Sequence, residues 1–437
     1  MVTTPRQARY LTFYSADQFN KPYILIKYTL KTQQGTVMLD AYIYDGLRSP
    51  FGRHGGALAT VRPDNLIATV MKALVEKHQL PNDIFDEVLI GNTNQAGEDS
   101  RNIARNAALL AGLDVTTPGQ TVNRLCASGL STVIDAARSI TCNEGDIFLA
   151  GGVESMTRAP FVFAKTETPF SREFKVFDTT IGSRFPNPLL TKEFGSDSMP
   201  QTGDNVARKY GITREQADKF AAASQAKYQT AKQAGFFDDE ITPIMVSQGR
   251  KLPEKAITED EHPRASSTVE ALQKLKPLNH EGVVTAGNAS GINDGAAALI
   301  IGSKQAEEKL GFKPIAKILS SGAMGVEPNI MGVGPVEAIK LALKRANLTL
   351  DDMAIIEINE AFASQVLGCL KGLEIDFDDK RVNPNGGAIA VGHPLGASGA
   401  RLALSTAREL QRTGEKYAVV SLCIGIGQGL AMVIERV

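Results

Sequence analysis

The chain has 437 residues, 43% of them hydrophobic and 22% charged, which is the composition of an ordinary globular protein with room for roughly two to four domains. Its formal net charge of -1 gives no support to binding of nucleic acid or of an anionic membrane surface. The longest apolar stretch, residues 417–434, is interrupted by polar residues and glycines, so no membrane-spanning helix is predicted.

Residues 1–37 differ from the rest of the chain. They carry five basic residues and one acidic residue and show no helical apolar stripe. A targeting peptide is one interpretation, because such peptides are rich in arginine and poor in acidic residues. The other is an extension that is not part of the fold, and it is favoured because only two of the five basic residues are arginine. If residues 1–37 are such an extension, a chain that starts at Met38 should keep its turnover. A loss of activity or solubility in that shortened chain would contradict this interpretation.

The chain from residue 38 to residue 155 alternates apolar strands with amphipathic helices. This alternation predicts an α/β fold with crossover connections and a mostly parallel sheet. The predicted strands are 38–44, 87–91, 119–123 and 146–150, and the predicted helices are 64–78, 102–110 and 128–140.

Residues 156–290 change character, since prolines, charges and polar loops dominate, and they predict an inserted lobe with helices at 203–210 and 214–234. Residues 291–310 complete the first half. From residue 311 to residue 437 the first pattern recurs, which indicates a diverged second copy of the same fold. The second copy has predicted strands at 313–320, 354–358, 417–422 and 430–435, and predicted helices at 336–346 and 401–410.

The chain has four cysteines, and none forms a CxxC pair. Zinc and thioredoxin-like sites therefore have no support, and so few cysteines in so long a chain do not predict a disulfide framework. Free thiols indicate a reducing, cytoplasmic compartment. Cys142 and Cys369 lie at or near predicted helices and are interpreted as structural.

Cys126 follows an apolar strand and precedes the small residues that start a helix. The free N–H groups and the dipole of a helix start favour a thiolate, and small neighbours let a substrate approach. A buried, inert cysteine is the alternative.

His393 lies in a glycine-dense loop, residues 386–399, where close backbone packing would let the imidazole reach a reacting group. A solvent-exposed turn histidine is the alternative. The other four histidines sit among polar or charged residues and are predicted at the surface; they are His54, His78, His262 and His280.

Two further residues lie where predicted strands end. Cys423 precedes a glycine-rich turn whose backbone N–H groups could point into a cavity. Asn359 directly follows the strand 354–358, where site residues of parallel sheets collect, although a helix N-cap is an equal alternative. Together, a thiol, a histidine, a second thiol and backbone donors suit acyl transfer.

Residues 38–437 resemble the thiolases over essentially their whole length. The motifs that carry the resemblance are Asn-Arg-Leu-Cys-Ala-Ser-Gly at 123–129, Asn-Glu-Ala-Phe at 359–362, Gly-His-Pro at 392–394 and Cys-Ile-Gly at 423–425. The resemblance implies a thiolase fold with two duplicated five-stranded sheet halves, helices between and around them, an inserted loop domain and a homodimer or homotetramer. It also implies reversible cleavage of a 3-ketoacyl-CoA, with coenzyme A as co-substrate and no other cofactor or metal.

The resemblance further implies a role for each site residue. Cys126 would be acylated, His393 would deprotonate it, and Cys423 would move a proton to and from the acetyl carbon. The N–H groups of Cys126 and Gly425 would hold one oxyanion, while His393 and a water on Asn359 would hold the enolate oxygen. Coenzyme A would lie on the loop domain, with Ser290 near its pantetheine and Arg264 near its adenine.

Details of the motifs indicate the substrate class. Many short-chain thiolases carry a His-Met pair where this chain has Ser198 and Met199. Segments 94–99, 178–182 and 425–429 resemble the thiolases that cleave 3-oxoadipyl-CoA in aromatic degradation. The terminal carboxylate of that substrate requires a cation, for which Arg184 is the candidate.

Three alternatives remain. The substrate could be acetoacetyl-CoA or 3-ketoacyl-CoAs in general. A non-catalytic, acyl-CoA-binding relative should lack one of the four catalytic residues, and none is missing here. A decarboxylating condensing enzyme would pair its cysteine with two histidines, whereas Asn359 occupies the place of one of them.

Overall fold

The computed structural model describes residues 38–249 and 252–437, so the predictions for residues 1–37 lie outside the described residues. The first part of the described chain alternates strands and helices as predicted. Its strands are β1 Ala41–Arg48, β2 Gly52–Arg53, β3 Glu87–Gly91, β4 Gly119–Val122 and β5 Ile147–Ser155, and its helices are α1 Pro63–Lys77, α2 Ile103–Leu110 and α3 Ser128–Thr141.

The inserted segment holds short hairpins together with helices of different lengths. A hairpin of β6 Phe161–Phe163 and β7 Val176–Asp178 is followed by helices α4 Pro188–Phe194, α5 Met199–Tyr210 and α6 Arg214–Gln233. A second hairpin pairs β8 Ile244–Val246 with β9 Lys255–Ile257, and α7 Val269–Gln273 follows. The chain then returns to the main sheet as β10 Asn293–Gly302 and leaves it through α8 Ala306–Leu310.

The last part of the chain has the strands β11 Ala316–Gly325, β12 Ile355–Ile358, β13 Tyr417–Ile424 and β14 Gln428–Arg436. Its helices are α9 Gly334–Ala346, α10 Ala363–Gly372, α11 Ala388–Val391 and α12 Leu395–Thr413, with 3-10 helices at Pro328–Val333 and Leu350–Asp352.

The sheet shows the duplication. In the first half the strand order is β4-β3-β5-β10-β1, with β3 parallel to both of its neighbours and β10 antiparallel to both of its own. The second half repeats these directions in the order β12-β13-β14-β11, and a single parallel bridge from Val382 to Ile356 stands where β4 stands in the first half. The two halves join edge to edge through β1 and β11. The predicted duplicated α/β fold is confirmed, with the fifth strand of the second half reduced to that bridge.

The prediction of a mostly parallel sheet is wrong. Strand β10 returns from the inserted segment and pairs antiparallel with β5 and β1. Strand β14 follows β13 through a tight turn, so it too runs antiparallel to its neighbours. The last strand of each half therefore lies between two other strands and runs antiparallel to both. The alternation of helices and strands along the sequence does not reveal this arrangement.

The helices form layers around the two sheet halves. Helices α3 and α12 lie between the halves, and their apolar residues pack into one core with those of both sheet halves. This core contains Leu130 of α3, Leu402 of α12, Phe148 of β5 and Met432 of β14. Helices α1 and α2 cover the outer face of the first half, and α9 and α10 cover that of the second. Helices between and around the sheets were predicted.

The starts of α3 and α12 touch through glycines. A Cβ on Gly129 would lie 2.5 Å from the Gly396 carbonyl oxygen, and a Cβ on Gly152 of β5 would overlap that same oxygen. A Cβ on Gly399 would press on the backbone of Leu130. Real side chains do not tolerate such distances, so the two helices approach this closely only because these positions are glycine.

The glycine contact predicts a stability effect at Gly152. Gly152→Ala should lower the free energy of unfolding by about 1–3 kcal/mol, because the new methyl group meets backbone that cannot move aside. Gly325→Ala is the matched control, since its Cβ would have no atom nearer than 3.9 Å. Urea unfolding of the two variants measures the difference. Equal urea midpoints for Gly152→Ala and Gly325→Ala would show that the helices can move apart without a loss of folding free energy.

Candidate active site

Cys126 lies in the turn that joins β4 to α3. Leu125, just before it, has a φ of 46°, in the left-handed region that costs energy for a residue with a side chain. The Asn123 side-chain oxygen accepts a hydrogen bond from the Leu125 N–H at 3.0 Å. The Ser128 hydroxyl donates to the Leu125 carbonyl at 2.7 Å and accepts from the Arg124 N–H at 2.9 Å. These bonds hold the strained turn and fix the thiol at the start of α3.

The Cys126 thiol is buried, with 6% of the residue exposed. Burial raises its pKa to about 11, and the nearby Glu154 carboxyl acts in the same direction. Hydrogen bonds from the backbone of Gly425 and of Cys126 itself oppose this rise in pKa without cancelling it. The expected activation of the thiol by the helix start is therefore wrong for the free protein, because desolvation of a thiolate outweighs the N–H groups around it.

His393 immediately precedes Pro394 and α12. Its N–H donates to Asn293 Oδ1 at 2.9 Å, and its Nδ1 lies 2.6 Å from Ser398 Oγ. The Ser398 hydroxyl donates its proton to the Pro394 carbonyl at 2.9 Å, so towards His393 it can only accept. This network assigns the ring proton to Nδ1 and leaves a lone pair on Nε2.

The imidazole of His393 is uncharged. Burial lowers its pKa to about 3, and the positive charge of Arg401 adds to the effect. The Nε2 atom lies 3.3 Å from Nδ2 of Asn359, which points a donor at the lone pair. His393 is therefore a buried, neutral imidazole.

Asn359 and Cys423 lie at the ends of neighbouring strands. The Asn359 N–H donates to the Ser421 carbonyl at 2.9 Å, and its Oδ1 has no hydrogen-bond partner among the described residues. Cys423, near the end of β13, is fully buried. Burial raises the pKa of its thiol well above the usual value, and the nearby Cys126 thiol adds to the rise. The second thiol is therefore protonated in the free protein.

The turn between β13 and β14 packs against the Cys126 turn. Ile426 and Gly427 have φ values of 65° and 82°, which turn the chain back sharply after Gly425. A Cβ on Gly425 would lie 3.2 Å from Leu125 Cδ1, so glycine lets the two turns approach. Of the residues predicted for the site, Cys126, Gly425 and Cys423 are brought together here, and Asn359 and His393 are brought together beside the start of α12.

Glu154 is a site residue that the sequence reasoning missed. Its buried carboxylate accepts the N–H groups of Thr93 and Asn94, each at 3.1 Å, and that of Gly396 at 2.9 Å. It therefore ties the loop after β3 to the start of α12. Burial raises its pKa to about 7. In the sequence, Glu154 could have been recognised as an acidic residue near the end of an apolar strand.

Glu360, which follows β12 in the second half, is another buried carboxyl beside the site that was missed. Its carboxylate accepts from Ser224 Oγ at 2.6 Å, from Asn383 Nδ2 at 2.8 Å and from the Ile389 N–H at 3.1 Å. These bonds hold the segment next to Asn359 against α6 and α11. Burial raises the pKa of this carboxyl as well.

The two residues expected to contact coenzyme A lie on different loops. Ser290 is half-buried, and its N–H donates to the Ala361 carbonyl at 2.9 Å, two residues from Asn359. Arg264 is exposed, and its N–H donates to Gln225 Oε1 at 2.8 Å. Gln225 in turn donates to the carbonyl of Ile389 at 3.1 Å, four residues before His393.

The two residues expected to contact the acyl chain also have defined places. Met199, the first residue of α5, packs against the apolar cluster that contains Cys423. Arg184 is half-buried, and its guanidinium donates to the Asn94 carbonyl. Arg184 is thereby attached to the loop that Glu154 also binds.

The remaining histidines are not all at the surface. His54 and His280 are exposed, as predicted. That prediction is wrong for His78, which is half-buried and contacts Asp45 at 2.7 Å, and for His262, where burial lowers the pKa. Within residues 38–249 and 252–437, no three His, Cys, Asp or Glu side chains form a group that could hold a metal ion, and no helix is long and apolar enough to cross a membrane.

Comparisons with known proteins match nearly the whole described chain. The model of the thiolase N-terminal domain matches residues 41–305, and that of the thiolase C-terminal domain matches residues 312–436. Over 402 residues, 92% of this chain and 100% of the relative, the chain is 54% identical to the beta-ketoadipyl-CoA thiolase of Acinetobacter baylyi. With the same coverage it is 51% identical to the 3-oxoadipyl-CoA/3-oxo-5,6-dehydrosuberyl-CoA thiolase of Escherichia coli. A crystal structure of human mitochondrial 3-ketoacyl-CoA thiolase in complex with CoA matches with a TM-score of 0.84 at 39% identity, over 92% of this chain and 100% of that one.

The raised pKa of Cys126 predicts how the free protein reacts with iodoacetamide. Since only the thiolate reacts and the pKa is about 11, the inactivation rate should rise about tenfold per pH unit between pH 7 and pH 9.5. A Cys142→Ser background removes the exposed thiol, and mass spectrometry identifies the labelled residue. A rate that stays flat across this range would mean that Cys126 is already a thiolate in the free protein.

Proposed function

The chain belongs to the thiolase family, and on that premise we propose that it cleaves 3-oxoadipyl-CoA with coenzyme A to give succinyl-CoA and acetyl-CoA. The observation that carries this proposal is the pairing of a buried thiol with a neutral histidine base at the starts of two touching helices, Cys126 before α3 and His393 before α12. The substrate rests on the 51% and 54% identity to relatives named for it.

In the first step the Cys126 sulfur attacks the 3-keto carbon of the substrate. His393 Nε2 accepts the thiol proton, which its lone pair and the proton on Nδ1 allow. The carbonyl oxygen becomes an oxyanion as the carbon–sulfur bond forms. The backbone N–H groups of Cys126 and Gly425, which already hydrogen-bond to the sulfur, are the donors proposed for it.

In the second step the carbon–carbon bond breaks, and its electron pair leaves as the enolate of acetyl-CoA. The His393 imidazolium and a water on Asn359 would stabilise the enolate oxygen, and the unpaired Oδ1 of Asn359 supports such a water. The Cys423 thiol then protonates the carbon, which releases acetyl-CoA and leaves the succinyl group on Cys126. The imidazolium returns a proton to Cys423.

In the third step a second coenzyme A enters. His393 takes the proton from its thiol, and the thiolate attacks the succinyl thioester. The tetrahedral intermediate expels the Cys126 thiolate, which regains the proton from His393. Coenzyme A is thus a co-substrate, and no other cofactor is proposed. Ser290 beside the Asn359 loop and exposed Arg264 are the proposed contacts to pantetheine and adenine.

The acyl group of 3-oxoadipyl-CoA ends in a carboxylate, which an apolar pocket would reject without a cation. Arg184 is the proposed partner, and Met199 is proposed as an apolar wall of the same pocket. The attachment of Arg184 to Asn94 supports this role, because it anchors one side of the guanidinium to the loop bound by Glu154. A general 3-ketoacyl-CoA or acetoacetyl-CoA thiolase is the alternative.

Self-association and a cytoplasmic location are proposed as well. The inserted segment exposes many apolar side chains, which in a folded protein mark an association surface and support a homodimer or homotetramer. They include Phe161, Phe163, Phe170, Phe174, Leu189 and Phe194. Light scattering that gives the mass of a single chain would contradict the oligomer. The four free cysteines support a reducing compartment.

The separate roles of the two catalytic thiols predict the behaviour of Cys423→Ala. The variant should still form an acyl-enzyme from an acyl-CoA, because Cys126 and His393 remain. Carbon–carbon cleavage and proton exchange at the acetyl methyl group should fall by about 10²–10⁴, the usual loss for a positioned acid–base group. Cys369→Ala is the matched control, since Cys369 is equally buried but lies in α10. Retained methyl exchange in deuterated water would contradict the role of Cys423.

The proposed carboxylate contact predicts a selective effect of Arg184→Ala. A lost charged hydrogen bond costs about 1.5–3 kcal/mol, so kcat/KM for 3-oxoadipyl-CoA should fall about ten- to a hundredfold. Turnover of acetoacetyl-CoA should barely change, because it has no terminal carboxylate. Steady-state kinetics on both substrates measure the effect.

Exposed Arg172 in the same inserted segment provides the control, and Arg172→Ala should affect neither substrate. An equal loss on both substrates in Arg184→Ala would assign Arg184 to coenzyme A or to the fold. A preference of the unmodified enzyme for acetoacetyl-CoA would overturn the proposed substrate.

A further inference from the structure

A small buried cavity lies beneath the loop that carries His393. Its wall includes Glu357 of β12, Val391 of α11, and Arg401 and Ser405 of α12, together with Arg48 at the end of β1. The cavity offers about 10 Å³ to the centre of a water molecule. A polar cavity needs roughly 10–15 Å³ of such space to hold one water, so this one has room for a single molecule and none for a larger ion.

One of the two arginines in the wall is fully paired. Arg48 Nε lies 2.5 Å from Glu240, and its Nη atoms lie 2.7 and 2.9 Å from the two oxygens of Asp260. Ser405 donates to the second oxygen of Glu240 at 3.0 Å, and Tyr228 donates to Asp260 at 2.8 Å. The charge of Arg48 is therefore balanced without help from the cavity.

The other arginine is not paired in this way. Arg401 and Glu357 are each 5% exposed. Nε and one Nη of Arg401, and Oε2 of Glu357, have no hydrogen-bond partner among the described residues. A guanidinium does not lose its proton in a protein, and an unsolvated buried charge costs several kcal/mol by general estimates. Burial also raises the pKa of Glu357 to about 7, which fits a carboxyl without a direct partner.

The unpaired arginine lies close to the catalytic histidine along the chain and in space. Val391, which lines the cavity, is two residues before His393, and Arg401 lies in the second turn of the helix that follows it. The side chains that contact the histidine directly, those of Asn359, Ser398 and Asn293, are uncharged. Two buried carboxyls lie on the adjoining segments, Glu154 at the N–H of Gly396 and Glu360 next to Asn359. The two neighbouring thiols, Cys126 and Cys423, are protonated at neutral pH because burial raises their pKa values.

We propose that one water bridges Arg401 to Glu357 in this cavity, and that the guanidinium held there is a positioning residue whose charge adds to burial in opposing protonation of His393. The bridging water satisfies both side chains without a direct ion pair, so the positive charge of Arg401 is only partly neutralised. In a buried region of low dielectric, such a charge acts strongly on a neighbouring imidazole. The inference deepens the proposed function, because it rests on His393 acting as the base.

The test compares three variants by NMR of enzyme labelled at histidine Cε1. In Arg401→Met the titration of His393 should move upward by about one pH unit or more, because the opposing charge is gone. In Arg401→Lys, which keeps the charge, it should stay near that of the unmodified enzyme. In Glu357→Gln it should not rise, because a negative charge was removed. A His393→Asn sample assigns the resonance.

Activity gives a second measurement. The acid limb of kcat/KM in Arg401→Met should move upward with the titration, and activity above that limb should match that of the unmodified enzyme. If the titration moves while the activity profile does not, the inference stands and the role of His393 as the base fails. An unchanged titration in folded Arg401→Met, or an equal rise in Glu357→Gln, would overturn the inference. If Arg401→Met does not fold, Arg401→Gln carries the same test.

The water itself is tested by high-resolution diffraction. Density for one oxygen within hydrogen-bond distance of both side chains is expected. A dry cavity, or an anomalous signal there after a bromide soak, would overturn the bridging water.

Discussion

The contact between the starts of α3 and α12 depends on glycine, since Gly129, Gly152 and Gly396 meet backbone to backbone where any side chain would force the helices apart. This contact decides the rest of the site, because Cys126 precedes one helix and His393 precedes the other. Glu154 strengthens it by accepting an N–H from Gly396 as well as from the loop after β3. The two sheet halves position the starts of α3 and α12 next to each other.

The thiol of Cys126 and the imidazole of His393 are both uncharged in the free protein. The thiol of Cys126 has its pKa raised and the imidazole of His393 has its pKa lowered, so moving the proton from one to the other is unfavourable until something stabilises the resulting charges. The oxyanion of a bound substrate does so, because it develops against N–H groups that are already in place. Burial of Cys126 would therefore make its reaction depend on bound substrate, and it protects the thiol from other electrophiles.

Much of this could be predicted from local sequence. The helix predicted at 64–78 has a regular apolar face and lies within one residue of the observed bounds. The motifs single out Cys126, Asn359, His393 and Cys423, and all four are buried in the structure. Features set by distant contacts could not be predicted. The antiparallel insertion of β10, the edge pairing of β1 with β11 and the depth of Cys126 depend on which strands meet, and nothing in a single segment encodes that. The proton on His393 Nδ1 follows from one hydroxyl, Ser398, whose direction is set by Pro394.

The matched topology of the two halves has an evolutionary consequence. Helices α3 and α12 occupy equivalent places, yet a thiol precedes one and an imidazole precedes the other. Two identical subunits meeting about a twofold axis would have to carry the same residue at both positions. Joining the copies in one chain removes that restriction, because each position then mutates independently. The covalent link is thus what permits a thiol at one position and an imidazole at the other in an otherwise symmetric arrangement.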